Sequence, residues 1–488
     1  MILVLLLSIP ALASGAISLI RTRRLMEAIH GVASVAAFVA GGFAAAGIWA
    51  GRGRAGAIVS LGFLRADALS AFMIAIITFV GAIAGIYAIG YMRLEFGDGD
   101  LQRIRLFYAL FHLFVFTMLL AATTDNLGVM WVAIEGTTLA TVFLVNLHNN
   151  QTGLEAAYKY LIICSVGIAL AFMGTVLIYY AASARAGEIG LSWTMLISVA
   201  RGLNPAIIKL AFVFILIGYG TKAGLAPMHT WLPDAHSEAP APISALMSGV
   251  LLNVGFYALI RFKAVTDIAV GPDFSSNWLT AFGLLSLGLA AAFLISQRNY
   301  KRMLAYSSIE HTGIVALGLG FGGYWGLLGA LLHMVNHALT KSMLFLLSGS
   351  ISIKYHTTEI RAVRGLMKSA PWTGLAFLFG ILALIGLPPF GPFISEFIIF
   401  RAGFAAHEIA CTVTGIALLA LVFAGMLGSV NHMLYGTPPE SMEHRDPLRW
   451  SLMPIALNAI LLVGIGLTLP DSVRGFFDQI LKVFQVGL

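Results

Sequence analysis

The chain has 488 residues, 59% of them hydrophobic and 10% charged, with a mean hydropathy of +0.91 and a formal net charge of +7. A soluble domain carries roughly 25% charged residues, so this composition excludes a soluble globular enzyme and implies a polytopic membrane protein. The basic residues are dispersed over the loops, as positive-inside bias would place them and unlike a nucleic-acid-binding patch.

About fourteen apolar stretches, each long enough to cross a ~30 Å hydrocarbon core as helix, fill the chain. They fall at 2–20, 28–50, 67–91, 106–122, 127–147, 156–182, 204–226, 243–263, 277–296, 303–322, 325–350, 372–400, 408–434 and 450–470. The expected fold is therefore all-α and integral to the membrane, a single polytopic domain over 1–488. Ala11-Leu12-Ala13 resembles a signal cleavage site, yet no positive n-region precedes it and RTRR follows at 21–24, so the first span is expected to be retained. With both ends outside, the inner loops hold roughly 15 Lys and Arg against about 10 outside, which favours periplasmic termini. Cys164 and Cys411 both lie in apolar spans. An iron–sulfur cluster normally needs four thiolates, so no redox centre is expected in this chain. A G-x-G-x-x-G match at Gly318, Gly320 and Gly323 ends a membrane span with no strand before it, and reads as helix packing or a turn.

An ionisable group at the bilayer centre costs about 2.5–3.5 kcal/mol on insertion scales, so each needs a partner, water or a task. Four stand out: Glu135 in WVAIEGTTLATVFLV, Lys222 in FILIGYGTKAGLAP, Lys341 in HMVNHALTKSMLFLL and Glu396 in GLPPFGPFISEFIIF. Glu135 either ties helices together or handles charge; Lys222 either snorkels from a helix end or does the same. Lys341 shares the i, i+3, i+4, i+7, i+8 pattern with His333, Asn336, His337 and Thr340, one polar stripe along a helix. That stripe, about 12 Å long, cannot face lipid. Two imidazoles, an amide, a hydroxyl and an amine suit a proton relay. Zinc is the competing reading of His333 and His337, but H-M-V-N-H lacks the glutamate of H-E-x-x-H and shows no third ligand, so no metal site is expected.

Two spans are interrupted, the seventh by Gly224 and Pro227 and the twelfth by Gly386, Pro388, Pro389, Gly391 and Pro392. Unwound backbone is tolerated in a membrane only where it meets protein or water, and such breaks in corresponding places point to a transport site. They lie five spans apart, and an odd-numbered repeat must insert upside down. The expected organisation is helices 1–3 (1–91), a first repeat of helices 4–8 (106–263), an inverted second repeat of helices 9–13 (277–434) and helix 14 (450–470). After the seventh span, prolines at 227, 233, 240 and 242 make a rigid loop carrying His229, Asp234, His236 and Glu238. Those groups either form a proton input or subunit contact, or the histidines satisfy exposed backbone.

Over nearly its whole length the chain resembles the antiporter-like membrane subunits shared by respiratory complex I, Mrp-type cation antiporters and membrane-bound NiFe hydrogenases. The resemblance runs through WVAIEGTTLAT, TKAGLAPMHTWLPDAHSEAPAPISALMSG, QRNYKRMLAYSSIEHTG, HMVNHALTKSMLFLLSGS and GLPPFGPFISEF. LEAAYKYLIICSVGIAL, the SSIEH run and GPFISEF look most like the hydrogenase-4 and formate hydrogenlyase type. The resemblance implies that Glu135 and Lys222 are the pair responding to charge from a neighbouring subunit. It makes Lys341, with His333 and His337, the central relay, and Glu396 the exit, where other members have lysine. Asn253 stands where some members have a lysine; an amide can order water but cannot hold a proton, and Glu310 and His311 are the secondary candidates for that link. His229 is a further secondary position.

The function so implied is proton translocation within a multisubunit redox complex, in the bacterial or archaeal cytoplasmic membrane. The chain itself would hold no cofactor and catalyse no redox step. Iron–sulfur clusters and NiFe or flavin would belong to partner subunits, both integral membrane subunits and a peripheral redox arm, with the lipid bilayer as surroundings and no nucleic acid. A cation/proton antiporter subunit without a redox partner, and a scaffold with a vestigial channel, are the other two readings.

Overall fold

The structure, a computed structural model, describes residues 1–51, 58–60, 62–97, 99–186, 190–439, 442–449, 452–469 and 471–485. Residues 450, 451 and 470 of the predicted last span lie outside the described residues, as do 52–57 and 61 of the predicted helices 1–3, 187–189 of the predicted first repeat, and 98, 440, 441 and 486–488 of the predicted single domain. The fold is almost wholly helical, as lipid demands: no water is present in the hydrocarbon layer to satisfy backbone groups, so helices satisfy their own.

In chain order the helices begin with α1 (Ile2–Leu19), α2 (Arg23–Ala50), α3 (Ala68–Phe96), α4 (Leu101–Thr123), α5 (Leu127–Val145) and α6 (Gln151–Ala186). A short hairpin, β1 (Ile58–Ser60) with β2 (Leu64–Ala66), joins α2 to α3 and places Val59 opposite Arg65. Next come α7 (Trp193–Val199), α8 (Pro205–Ala223), α9 (Trp231–Glu238), α10 (Ala241–Leu246), a π-helical turn at Met247–Leu251, and α11 (Leu252–Val270). The chain continues through α12 (Pro272–Leu294), α13 (Tyr300–Phe321), α14 (Gly323–Tyr355), α15 (Leu366–Ser369), α16 (Pro371–Leu384), α17 (Gly391–Ala405), α18 (Ile409–Leu434), α19 (Leu452–Leu467) and α20 (Asp471–Gln485). Among the described residues, 11 helices are long and apolar enough to cross a membrane, and shorter apolar helices lie at Pro371–Leu384 and Leu452–Leu467.

Asp and Asn side chains close helix starts: Asp67 accepts from Ser70 N–H, Asn126 from Gly128 and Val129, and Asn299 from Lys301 and Arg302. Each satisfies donors that a helix N-terminus otherwise leaves orphaned. The α10–α11 segment and α14 are enclosed by other helices. α1, α2, α6 and α18 turn large apolar side chains outward, among them Leu12, Phe43, Ile162 and Leu421, a surface suited to lipid. Small residues let backbones close up. A Cβ on Gly218 of α8 would lie 2.5 Å from Ala171 N of α6.

Both predicted breaks are present. α8 ends at Ala223, with Gly224 at φ 76 as its left-handed cap, and the chain turns before resuming as α9. α16 ends at Leu384, Gly386 has φ 68, and α17 starts at Gly391. The connection carrying Asp234, His236 and Glu238 is not a loop, as the sequence suggested, but the short helix α9. Its prolines bound it: Pro233 sits in the first turn, where a missing N–H costs little, and Pro240 follows its end. Asp234 is held by Lys159 of α6 at 3.2 Å and by Arg302 of α13, and Lys301 caps the far end by donating to Ser237 and Ala239 carbonyls at 3.0 and 2.7 Å.

One buried ion pair was not anticipated. Arg261 of α11 holds Asp67 in a two-pronged contact, Nη1 to Oδ2 at 2.7 Å and Nη2 to Oδ1 at 2.6 Å, and its guanidinium lies 4.5 Å from the Trp193 ring centroid. Burial alone would raise the Asp67 carboxyl, but Arg261, helped by Arg65 and the Ser70 N–H, holds it down at about 2. A carboxyl lowered on folding contributes stability that is fully present above its unfolded value of roughly 3.9 and is lost as pH falls through the folded value. Arg261→Met is expected to cost about 3–5 kcal/mol at neutral pH, because a buried charge loses its partner. Thermal unfolding in detergent should show the gap to wild type narrowing below about pH 4; a gap independent of pH contradicts this account of the pair.

The C-terminal amphipathic helix α20 was also not expected. Its Phe477 packs on Phe72 at 6.0 Å and its Phe476 stacks on Trp49 at 5.3 Å, while Asp478 accepts from Tyr324 at 2.9 Å. This binds the last helix to α2, α3 and the start of α14.

Candidate functional site: a buried line of lysines, histidines and carboxylates

The predicted residues fall into two groups. The first joins α5, α6 and α8. Lys222, on the last turn of α8 just before the Gly224 break, is fully buried, and its Nζ donates to Thr138 Oγ1 at 2.6 Å, with Thr137 Oγ1 at 3.4 Å and Tyr160 OH at 3.5 Å. It does not snorkel. Thr138 Oγ1 in turn donates to Glu135 Oε2 at 3.1 Å, and Ser165 Oγ of α6 donates to Glu135 Oε1 at 2.8 Å. Glu135 is half-buried. Glu135 and Lys222 therefore meet through one hydroxyl, not in direct contact. The sequence picked out both end members but not Thr138, Tyr160 or Ser165; the i, i+3 spacing of Glu135 and Thr138 was the available signal.

The second cluster is built on α14. His333, Asn336, His337, Thr340 and Lys341 are all buried, so the polar stripe does face inward. Lys341 Nζ donates to the Leu304 carbonyl at 2.9 Å and to Ser307 Oγ, both on α13. His333 does not pair with His337. Its Nε2 meets Nδ1 of His311 on α13 at 2.8 Å, and its Nδ1 meets Ser395 Oγ on α17 at 2.9 Å, where Asn336 Nδ2 also donates at 3.1 Å. The His311 ring lies 5.0 Å from that of His333 and 5.5 Å from that of His337. Glu396 is 5% exposed, one residue from Ser395 and beside Gly386 at the second break; a Cβ there would collide with its carboxylate. It also borders a crevice of about 640 Å³ between α16, α17 and α18. Glu310 is buried on α13, within electrostatic reach of Lys341 and Glu396.

His236 changes the reading of α9. The reading in which His229 and His236 satisfy exposed backbone fails for His236: it is fully buried, stacked on Phe345 at 4.9 Å, and among the described residues neither ring nitrogen has a protein partner. It lies within electrostatic reach of Lys301, Lys341 and His337. His229 is 6% exposed at the turn before α9. Asn253 is a structural tie, with Nδ2 donating to the Gly249 carbonyl at 3.0 Å, beside the π turn, and to the Met334 carbonyl of α14 at 3.1 Å. A second buried imidazole pair, His30 with His112 at 3.1 Å, links α2 to α4 and escaped the sequence reading because its members stand in different spans.

Buried polar atoms without a protein partner recur along the α9–α14–α17 line: both His236 nitrogens, His337 Nε2, Thr340 Oγ1, Asn336 Oδ1 and Glu396 Oε1. A buried polar group left bare costs roughly 1–3 kcal/mol. Six on one line make it a place where ordered water is favoured. Lys222 and Lys341 share another property: among the described residues, neither has a carboxylate within 4.0 Å. Their ammonium groups are held by hydroxyls and carbonyls, so their charge remains sensitive to charges further off.

Comparison with known proteins agrees with this geometry. The family described as NADH:quinone oxidoreductase/Mrp antiporter, TM, matches residues 124–424, and that of the NADH-ubiquinone oxidoreductase (complex I) chain 5 N-terminus matches residues 57–103. The hydrogenase-4 component F homolog of Methylacidiphilum infernorum is 38% identical over 421 residues, 86% of this chain and 88% of the relative. NADH-quinone oxidoreductase subunit N of Desulforudis audaxviator is 32% identical over 86% of this chain and 84% of its own. In fold, a chain of the membrane-bound sulfane sulfur reductase, an archaeal respiratory membrane complex, superposes with a TM-score of 0.87 at 23% identity, covering 99% of this chain and 97% of that one. With a buried lysine beside one helix break, a buried glutamate beside the other and a family match from 124 to 424, this chain belongs to the antiporter-like membrane subunits of the NADH:quinone oxidoreductase/Mrp antiporter family.

Proposed function

We propose that this chain conducts protons as one membrane subunit of a multisubunit redox complex of the hydrogenase-4 or NADH:quinone oxidoreductase kind. The observation that carries the reading is the pair of fully buried lysines, each held, among the described residues, by neutral oxygens and each among further exchangeable groups. Through the shared Thr138 hydroxyl the Glu135 carboxylate lies within about 6 Å of Lys222 Nζ, and at an effective dielectric of 20 a unit charge there changes the energy of the ammonium by about 3 kcal/mol. That is more than tenfold in its proton occupancy, so a change of charge at Glu135 is large enough to switch Lys222 between holding and passing a proton.

The path runs from Glu135 and Lys222 through the α9 region at His236 to Lys341 and His337, then by His311 and His333 to Glu396. Water between the bare polar atoms completes it. Glu310 supplies a protonatable group near Lys341, where Asn253 does not. The two helix breaks, each marked by a left-handed glycine and each near an ionisable group, support two inverted five-helix repeats, α4–α11 and α12–α18, with helices α1–α3 before them. The excess of Lys and Arg in the inner loops, roughly 15 against about 10 with both ends outside, supports periplasmic termini.

The driving energy comes from partners: further integral membrane subunits and a peripheral arm whose iron–sulfur clusters and NiFe or flavin do the redox chemistry. The hydrogenase-4 relative favours the NiFe kind. Extraction in mild detergent with native partners retained, followed by assay of nickel, iron and flavin, tests this. Nickel with iron is the expected result; flavin and iron without nickel would place the chain in a dehydrogenase. A complex with none of them would overturn the redox reading in favour of a cation/proton antiporter, which sodium-dependent pH changes in vesicles would then reveal.

A further inference from the structure

Sequence spacing offered His333 and His337 as a metal pair and found no third ligand. Folding supplies a different set. One ligand atom from each of His311, His333 and Glu396 lies within 4.8 Å of the other two, and the three come from α13, α14 and α17. All are buried, and Glu396 Oε1 is one of the buried oxygens without a protein partner.

The His333 tautomer suits metal binding. Ser395 Oγ donates to the Pro392 carbonyl at 2.9 Å, so toward His333 it acts as acceptor and places the proton on Nδ1. That leaves the His333 Nε2 lone pair directed into the cluster. An imidazole fixed through its far nitrogen is how ligating histidines are normally oriented. Two imidazoles and one carboxylate form a borderline donor set that suits Zn²⁺ with a fourth position open. Ligand atoms of a tetrahedral zinc stand about 3.4 Å apart, so His311 Nδ1 and His333 Nε2, at 2.8 Å, part by roughly half an ångström while separations of up to 4.8 Å close by about an ångström.

We propose that His311, His333 and Glu396 form a divalent transition-metal site of Zn²⁺ type, and that its occupation blocks proton passage. Metal there displaces the proton shared between the two imidazoles and ties up the carboxylate that follows them. The blocking effect rests on the proton-path reading above; the binding does not.

The test uses the full chain in detergent, stripped of metal and titrated with Co²⁺ alone. The expected result is one Co²⁺ per chain with the visible absorption of a tetrahedral nitrogen and oxygen site, displaced by equimolar Zn²⁺. His311→Gln and Glu396→Gln should each weaken Co²⁺ binding at least tenfold. Absence of such a band in the wild type, or full affinity in both variants, overturns the site. Should the variants misfold, X-ray absorption of the Zn²⁺-loaded wild type decides: two imidazoles with oxygen support it, and an all-oxygen or sulfur-containing shell overturns it. Co²⁺ binding with no effect of Zn²⁺ on proton movement in vesicles would retain the site and reject the block, whereas a chain that moves no protons would leave the binding result standing and remove the function.

Discussion

Lys222→Met is expected to abolish proton translocation by the complex, by more than tenfold, while leaving it assembled with its redox centres intact. Methionine fills a similar buried volume, and the hydroxyls it leaves behind have other partners: Thr137 and Tyr160 already bond within α5 and to Thr141. What disappears is the amine on the far side of Thr138 from Glu135, the one group in this cluster that can take up and release a proton in response to that carboxylate. Fluorescence quenching of a pH dye in proteoliposomes reads the loss directly. Wild-type acidification in the variant would show that Lys222 is a structural cation.

Glu396→Gln is expected to have a comparable effect from the other end of the line, again at least tenfold. The amide is isosteric and suits a buried site in which Oε1 has no protein partner, so assembly should persist. It cannot release a proton, and the chain of groups that begins at His311 and His333 then ends without an acceptor. Gly386 provides an independent approach to the same position. Its φ of 68 and its closeness to the carboxylate mean that any side chain there displaces Glu396. The same vesicle assay applies, and full transport in Glu396→Gln would remove Glu396 from the path.

Much of the fold was legible because the bilayer leaves few choices: an apolar run of this length must be helix, and Gly–Pro clusters must break it. The α14 stripe was legible for the same reason, since i, i+3, i+4 spacing fixes a face without knowledge of any neighbour. What joins helices was not. Thr138 looks like any hydroxyl in a span until Lys222 arrives from 84 residues away, and the His311–His333 contact exists only because α13 and α14 pack side by side. Asp67 and Arg261, 194 residues apart, each read as an ordinary residue near a helix end. His236 was legible as an ionisable residue but not as a buried one, because prolines around a short polar stretch normally signal a surface connection. The α20 helix is too short and too polar to register as a span, and its alternating face takes meaning only from Trp49 and Phe72.

The claim that the buried lysines work by exchanging protons, and not merely by carrying charge, is tested most directly by Lys222→Arg. A guanidinium keeps the positive charge and the hydrogen-bonding capacity but does not deprotonate in a protein. Protons moved per electron transferred should be measured in proteoliposomes holding the purified complex, with wild type and variant side by side. A lower ratio is expected in Lys222→Arg with the redox centres intact. An unchanged ratio would contradict it, because a permanent cation would then serve as well as an exchangeable one.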